Sequence, residues 1–538
     1  MEVGIGAVRF VARWLAFFLS LTVGIAGVMA DEFRTPAVMA MRVDWSAALD
    51  QLRSEIGTQP VAVSTFTFSG RSKSLGFDPR SRPALVQLNA VTSTIFTGIG
   101  RSPVPVLLPF DTAAFLGAQS SGASAGLSHY QADFRSVDMF DAGPAGYDAV
   151  FSLELGAGEG MPQRIFAKPI EVQITGSVLI YDVNDPLGDR GEPVKALALQ
   201  FPDLRRFIRE GYVRYSFTRF GVPYVVSIQC LDSAPRPRRL ACREAYPVAE
   251  RFLRALRVAG GFPGRARTDA YPEIAARPLA ASADFTYRPP GDISGRSEVR
   301  RQNGRADFTA YSQIRFPLEK APAFAHSQSK ATRESGHIDI SSGPTTYPWQ
   351  DNFCEARSYG VGQCASGFGH QGQDIRPAPC PSISEVPDHC DPKRQGVVAV
   401  RDGVLIRAPK QQGVTLQVNT QTEHVRFRYM HMNPAAMDAD QILNGRHVEE
   451  GEKIGVVSNY LDRPNGTSRH LHFDVQVFTR DGWIWVNPYV TLISSYERLI
   501  RGHGRELEPQ PAASAAVAHA MPSDVNRTSV RKAARTEF

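Results

Sequence analysis

After Ala30 this 538-residue chain has no apolar run long enough to span a bilayer, so nothing beyond its N-terminus reads as a transmembrane helix. It has no H-E-x-x-H, which excludes the metallopeptidase arrangement in which one helix presents two histidines and a glutamate base. Cys-x-x-Cys is absent too, so the six cysteines do not read as a structural zinc cluster. No Ser/His or Cys/His pattern supports nucleophilic catalysis. The net charge of +6 is diffuse, which argues against a nucleic-acid partner and suits contact with an anionic envelope surface. Arg236, Arg238 and Arg239, the densest basic stretch of the N-terminal half, sit in a proline-broken loop that reads as a solvated turn.

What is present begins with an export signal. Arg9 and Arg13 precede an apolar run from Trp14 that ends in Val28-Met29-Ala30, the layout of a signal peptide with a small-residue cleavage site; an uncleaved membrane anchor is the alternative. Cysteine usage agrees with export. Three close pairs, Cys230 with Cys242, Cys354 with Cys364 and Cys380 with Cys390, predict three local disulfide loops formed in an oxidising compartment.

The length predicts several structural units. Residues 1–30 are the signal peptide or anchor. An accessory domain of unknown role spans 31–261, α+β or mostly β, with strands over Val61 to Phe68, Glu171 to Tyr181 and Tyr212 to Gln229. A helix is predicted over Tyr246 to Val258, where Val248, Phe252, Leu253 and Leu256 recur at helical spacing. Residues 262–305, dense in Arg, Pro, Gly and Ala, read as a linker, 306–501 as the catalytic domain, and 502–538 as a disordered tail.

Three motifs in the last domain carry chemistry. His370 and Asp374 lie in H-Q-G-Q-D, His431 in Tyr429-Met430-His431-Met432, and His470 and His472 in Arg469-His470-Leu471-His472-Phe473-Asp474. Side chains alternate along a strand, so His470 and His472 share one face while Leu471 and Phe473 take the apolar one. His431 follows Val425, Phe427 and Tyr429 at the same parity, which alone would make it a core histidine. Two imidazoles and a carboxylate are a donor set that favours zinc and leaves a fourth position open. The other histidines lack ligand-like spacing, and His424 and His447 are expected in polar turns.

From about Tyr347 to Ile493 the chain resembles the lysostaphin-type (LytM-like) zinc metallo-endopeptidases, which hydrolyse peptidoglycan and carry H-x-G-x-D, Tyr-x-His and His-x-His-Phe plus an acidic residue in this order. Val397 to Ile406 resembles the family's paired strands around an Asp-Gly turn, Val448 to Val457 its glycine-marked turn, and Asn487-Pro488 the close of the domain. The resemblance implies a mainly antiparallel β catalytic domain in which His370, Asp374 and His472 bind one Zn2+. It makes His431 and His470 the catalytic histidines that handle protons and charge around a metal-activated water. Two departures stand out. The approach to His370 lacks the family's Gly-x-Arg strand, and a Pro-rich, Cys-bounded insertion from Arg376 to Gly396 replaces a short turn, beside the metal.

The expected function is therefore an exported, periplasmic zinc endopeptidase acting on peptidoglycan cross-links. The alternative is a non-catalytic or partner-gated regulator that binds and activates a cell-wall amidase; relatives of that kind generally lose ligands, and here all are kept.

Overall fold

The structure, a computed structural model, describes residues 34–56, 82–115, 134–135, 137–153, 166, 169–183, 191–209, 211–230, 240–264, 284–293, 306–325, 348–377, 395–459 and 469–507. The signal segment, the strand expected over Val61 to Phe68 and the Cys380/Cys390 pair lie outside the described residues. Among those described, no helix is long and apolar enough to cross a membrane.

The chain is multidomain and mainly antiparallel β. A first sheet contains β1 (Met139–Gly143), β2 (Gly146–Ser152), β3 (Glu171–Ser177), β4 (Glu192–Pro193), β5 (Arg205–Arg209), β6 (Tyr212–Arg219) and β7 (Val222–Gln229), in the order β1-β2-β3-β7-β6-β5-β4. The apolar stretch from Tyr212 to Gln229 is a hairpin. Phe220 and Gly221, at φ 52° and 78°, make the two-residue turn whose left-handed residues match strand twist.

Three helices, α1 (Trp45–Ile56), α2 (Arg82–Thr92) and α3 (Tyr246–Ala255), complete this unit. Val248, Ala249, Phe252 and Leu253 form the buried stripe of α3, as their spacing predicts. The helix stops short of Val258, however. Leu256 turns extended, and Arg257–Gly260 becomes a strand on Val106–Leu108, giving β-branched Val258 and Gly260 a ladder instead of helix positions they disfavour. Cys230 and Cys242 are bonded beside α3.

A second sheet holds β8 (Ala323–Ala325), β9 (Gln373–Pro377), β10 (Gly403–Ile406), β11 (Val414–Asn419), β12 (His424–Met430), β13 (His447–Val448), β14 (Leu471–Thr479) and β15 (Gly482–Val486). Its order is β8-β9-β14-β12-β11-β10-β13, with β15 also on β14. Nine-residue β14 is the hub: β12 runs along one edge, while β9 and β15 share the other. The strands expected to pair around Asp402-Gly403 do not pair with each other. Gly396–Val398 joins Lys453–Val456 in a separate two-stranded sheet, because Ala399 and Val400 turn away to bond Glu452 O and the Tyr429 hydroxyl.

Parts of the stretches expected to be linker and tail belong to this second core. Phe285–Tyr287 pairs in parallel with Gly504–Glu506, and Phe285 packs on Trp349 and edge-on to Tyr496 of α4 (Tyr489–Ile500). Composition conceals this, since the aromatic side chains that anchor the segment are few among many Arg, Pro and Gly.

The two sheets meet through a buried polar cluster. Asp148 of β2 receives His424 Nε2 at 2.8 Å and Arg426 Nη2 at 2.9 Å, and Thr175 Oγ1 donates to it at 2.6 Å. Trp483 Nε1 bonds Thr175, the Arg426 guanidinium lies 4.1 Å over the Trp483 ring, and Ile180, Val225, Phe478 and Trp483 form the adjoining apolar cluster. His424, expected in a polar turn, is thus the fully buried first residue of β12. Its carboxylate partner lies 276 residues away in the chain, beyond reach of any local pattern.

Burial works to raise the Asp148 carboxyl, but His424 and Arg426 outweigh it and hold it below the ordinary value. Asp141, directly across the β1–β2 ladder, is pushed up to about 6 by burial and by the charge of Asp148. A carboxyl raised by folding destabilises the fold where it is ionised, so its cost is absent below the ordinary 3.8 and complete above about 6. Asp141→Asn is expected to stabilise the protein by about 3 kcal/mol at pH 7, with the gain vanishing as pH falls towards 3.8. Urea unfolding at both pH values checks this; an equal gain at each would show that Asp141 is not the titrating group.

Candidate metal centre

The site is assembled by strand register. Pairing of β9 with β14 sets Asp374 opposite His472, and pairing of β12 with β14 sets Met430 opposite the same histidine. His470, bridged to Ser458 just ahead of β14, shares the parity of His472 and Asp474, while Leu471 and Phe473 are buried in the opposite core. Gly372 is required where β9 approaches. A Cβ there would sit 2.4 Å from Phe473 O and 2.9 Å from His472 Nε2, so any side chain would push the two strands apart.

His370 lies ahead of β9 and is fixed by its backbone. Its N–H donates to Glu355 O, and its carbonyl accepts from Cys354 N. The bonded Cys354 and Cys364 close the loop behind it so tightly that a Cβ on Gly369 would meet Cys354 Cα at 2.7 Å and Cys364 Sγ at 2.8 Å. Asn352 Oδ1 accepts from Asp374 N, and the neighbouring Asp351 binds Asn487 Nδ2, tying the Asn-Pro near α4 to the ligand strand.

Three ligand atoms converge. His370 Nε2 is 2.9 Å from His472 Nδ1, and each is 3.3 Å from Asp374 Oδ1. Zinc bonds of about 2.0–2.1 Å in a tetrahedron put neighbouring ligand atoms roughly 3.3 Å apart. The three atoms therefore have the spacing of one tetrahedral face, and among the described residues they form the cluster that could hold a metal.

Protonation strengthens that inference. His370 Nδ1 faces the Asn352 carbonyl at 3.0 Å, and His472 Nε2 faces Asp474 Oδ2 at 3.3 Å, so each of those nitrogens carries the hydrogen. With both rings neutral the remaining lone pairs confront one another at 2.9 Å, and Asp374 and Asp474 raise His472 against its burial, so the site favours a cation, metal or proton, between them. Asp374 Oδ2 is buried and takes no hydrogen bond among the described residues, leaving a carboxylate oxygen to be satisfied. Burial alone would raise Asp374, yet the His370 and His470 imidazoles hold it well below the usual carboxylate range. It is a ready anionic donor.

His431 departs from the parity argument. As a continuation of β12 it would join Tyr429 in the core, but its backbone is left-handed at φ 72°, which swings the ring to the site. Its centroid lies 4.6 Å from that of His470 and 5.9 Å from that of His472. Nδ1 faces Gln412 Oε1 at 3.3 Å, leaving Nε2 as the basic nitrogen. Burial, then the charges of His470 and His472, holds His431 well below the ordinary histidine value, so it is neutral and able to accept a proton. His470 Nε2 stands 3.3 Å from Asp374 Oδ1.

All five residues singled out from sequence therefore meet in one place. Four supporting residues were not singled out. Asn352 and Gln412 orient His370 and His431 from loops, and no local signal marks either. Arg428 donates to Asp474 Oδ2 at 2.7 Å and Trp485 to Asp474 Oδ1 at 3.1 Å, bracing the carboxylate behind His472. Arg428 shares the face of Met430, so its parity was a usable signal.

No family model and no curated protein matches the chain. Among solved structures it is similar to a "putative glycyl-glycine endopeptidase lytM" from Ruminococcus gnavus, at 20% identity and a TM-score of 0.18, over 26% of this chain and 50% of that one. The chain thus matches half the length of that protein, and a likeness of this extent establishes no family.

If Asp474 orients His472 towards a metal, Asp474→Asn is expected to weaken zinc binding about 10–100-fold, read by competition with a chelating dye. Unchanged affinity in the folded variant would mean that His472 needs no such brace.

Proposed function

We propose that this protein is an exported zinc-dependent endopeptidase that hydrolyses peptide cross-links of peptidoglycan. The observation that carries the reading is the convergence of two imidazole lone pairs and a carboxylate oxygen, with two further imidazoles alongside, at the positions where the motifs resemble the lysostaphin-type enzymes. His370, Asp374 and His472 would hold one Zn2+. The ion would supply Lewis acidity and an ionised water at neutral pH.

The chain's own groups do the rest. Neutral His431, with Nε2 basic, takes a proton during attack on the scissile carbonyl and returns it to the departing amine. His470, 4.6 Å away between rings, is placed to carry positive charge beside the oxyanion and to exchange the proton with His431. The Asn352 and Asp474 contacts keep both ligand histidines in the tautomer the metal needs.

The disulfides fit an oxidising compartment, and the signal-like N-terminus points to a periplasm. There the scissile bond would be the D-alanyl to diaminopimelate cross-link. Burial supports a second reading: His431 is 8% exposed and the other four site residues less, which favours an enzyme opened by a partner such as a cell-wall amidase.

Purified sacculi incubated with the zinc-loaded full chain are expected to lose cross-linked muropeptides. His472→Ala should abolish both zinc retention and release, whereas His431→Ala should keep zinc and lower turnover by about 100-fold or more. Release by His472→Ala would contradict the zinc reading. Absence of release by folded, zinc-loaded protein would favour the gated reading.

A further inference from the structure

At the other end of β12 from His431 lies a cavity of about 710 Å³ with four arginines in its lining, Arg315, Arg401, Arg498 and Arg501, and two glutamates, Glu423 and Glu450. Glu423 immediately precedes β12 and His431 immediately follows it, so at about 3.3 Å per residue the cavity lies roughly 25 Å from the metal centre. It is a separate place on the molecule.

The charges do not cancel. Glu423 is already engaged, with Oε2 2.8 Å from Arg401 and Oε1 accepting from Ser312. Arg498 donates to Ser494 Oγ and Ile314 O, and the charges of Glu497 and Glu450 offset its own. Arg315 and Arg501 have no ion-pair partner among the described residues, and Arg315 Nε is buried without a hydrogen bond. An end-of-helix position accounts for Arg498, in the last turn of α4, and for Arg501, which caps its carbonyl end. It does not account for Arg315, which lies outside α4 and packs so closely on Gly451 that a Cβ there would meet Nη1 at 2.7 Å.

A concave site with surplus guanidinium groups, each a planar fork of donors, matches a tetrahedral oxyanion better than a point cation or an apolar group. The volume is that of a small organic ligand and exceeds a single ion. We propose that this cavity binds a phosphate-bearing ligand of sugar-phosphate size, free or as a unit of a polymer. Arg315 contributes the unsatisfied donor and Arg501 the second uncompensated charge.

Isothermal titration of the full zinc-loaded chain at low salt, with glucose 1-phosphate, inorganic phosphate and glucose as probes, tests this. Both phosphates are expected to bind, the sugar phosphate more tightly, and glucose not at all. Arg315→Ala should weaken binding by at least tenfold. Arg501→Gly should weaken it severalfold while leaving the thermal midpoint unchanged or higher, since φ 53° suits glycine and the variant cannot fail merely by misfolding. Phosphate binding that survives both substitutions would place the anion elsewhere, including at the zinc, and overturn the proposal. Equal binding of glucose, or no binding of either phosphate, would overturn it as well.

Discussion

The pairing of β9 with β14 is the constraint on which the site depends. It sets Asp374 across from His472 and, through Gly372, lets the two backbones come close enough for a carboxylate and an imidazole to share one position. A slip of one residue would turn Asp374 to the apolar face and Ile375 into the site. Everything else that orients the centre acts on this pairing or at its ends: the stapled loop behind His370, the Arg428 and Trp485 bonds to Asp474, and the Asp351–Asn487 link that ties the ligand strand to the start of α4.

The first sheet is joined to the second through the same strands that carry the site. His424 and Arg426 share the face of β12 that leads to Arg428 and Met430, and Asp148 grips the far end of that face. A buried carboxylate held by a guanidinium and an imidazole is costly to break and poorly replaced by water, so it fixes how the first sheet sits against the second. The opposing Asp141 works against it, which makes the junction sensitive to acidity in a way that the apolar clusters are not.

The placement of the candidate site is more legible in the sequence than the architecture. His470 and His472 are separated by one residue, and strand parity alone places them together. His370 and Asp374 are local to each other, and the motif order supplied the rest. His431 was found by motif, yet its geometry was not readable, since parity assigns it to the core and only the left-handed backbone at φ 72° brings it to the site. His424 carries no local sign of its burial, because its environment is made by Asp148 and Trp483, both distant in sequence. Phe285 and Gly504–Glu506 were hidden in compositions that usually mean linker and tail, although a parallel ladder and a cluster of aromatic rings hold them in the second core.

In the proposed enzyme, His370, Asp374 and His472 bind one zinc ion through Nε2, a carboxylate oxygen and Nδ1. X-ray absorption at the zinc edge on the loaded protein tests it most directly. The expected spectrum has nearest neighbours of nitrogen and oxygen only, at about 2.0–2.1 Å, with the outer scattering of two imidazoles. Sulfur among the nearest neighbours, or a spectrum of fully hydrated zinc, would contradict it.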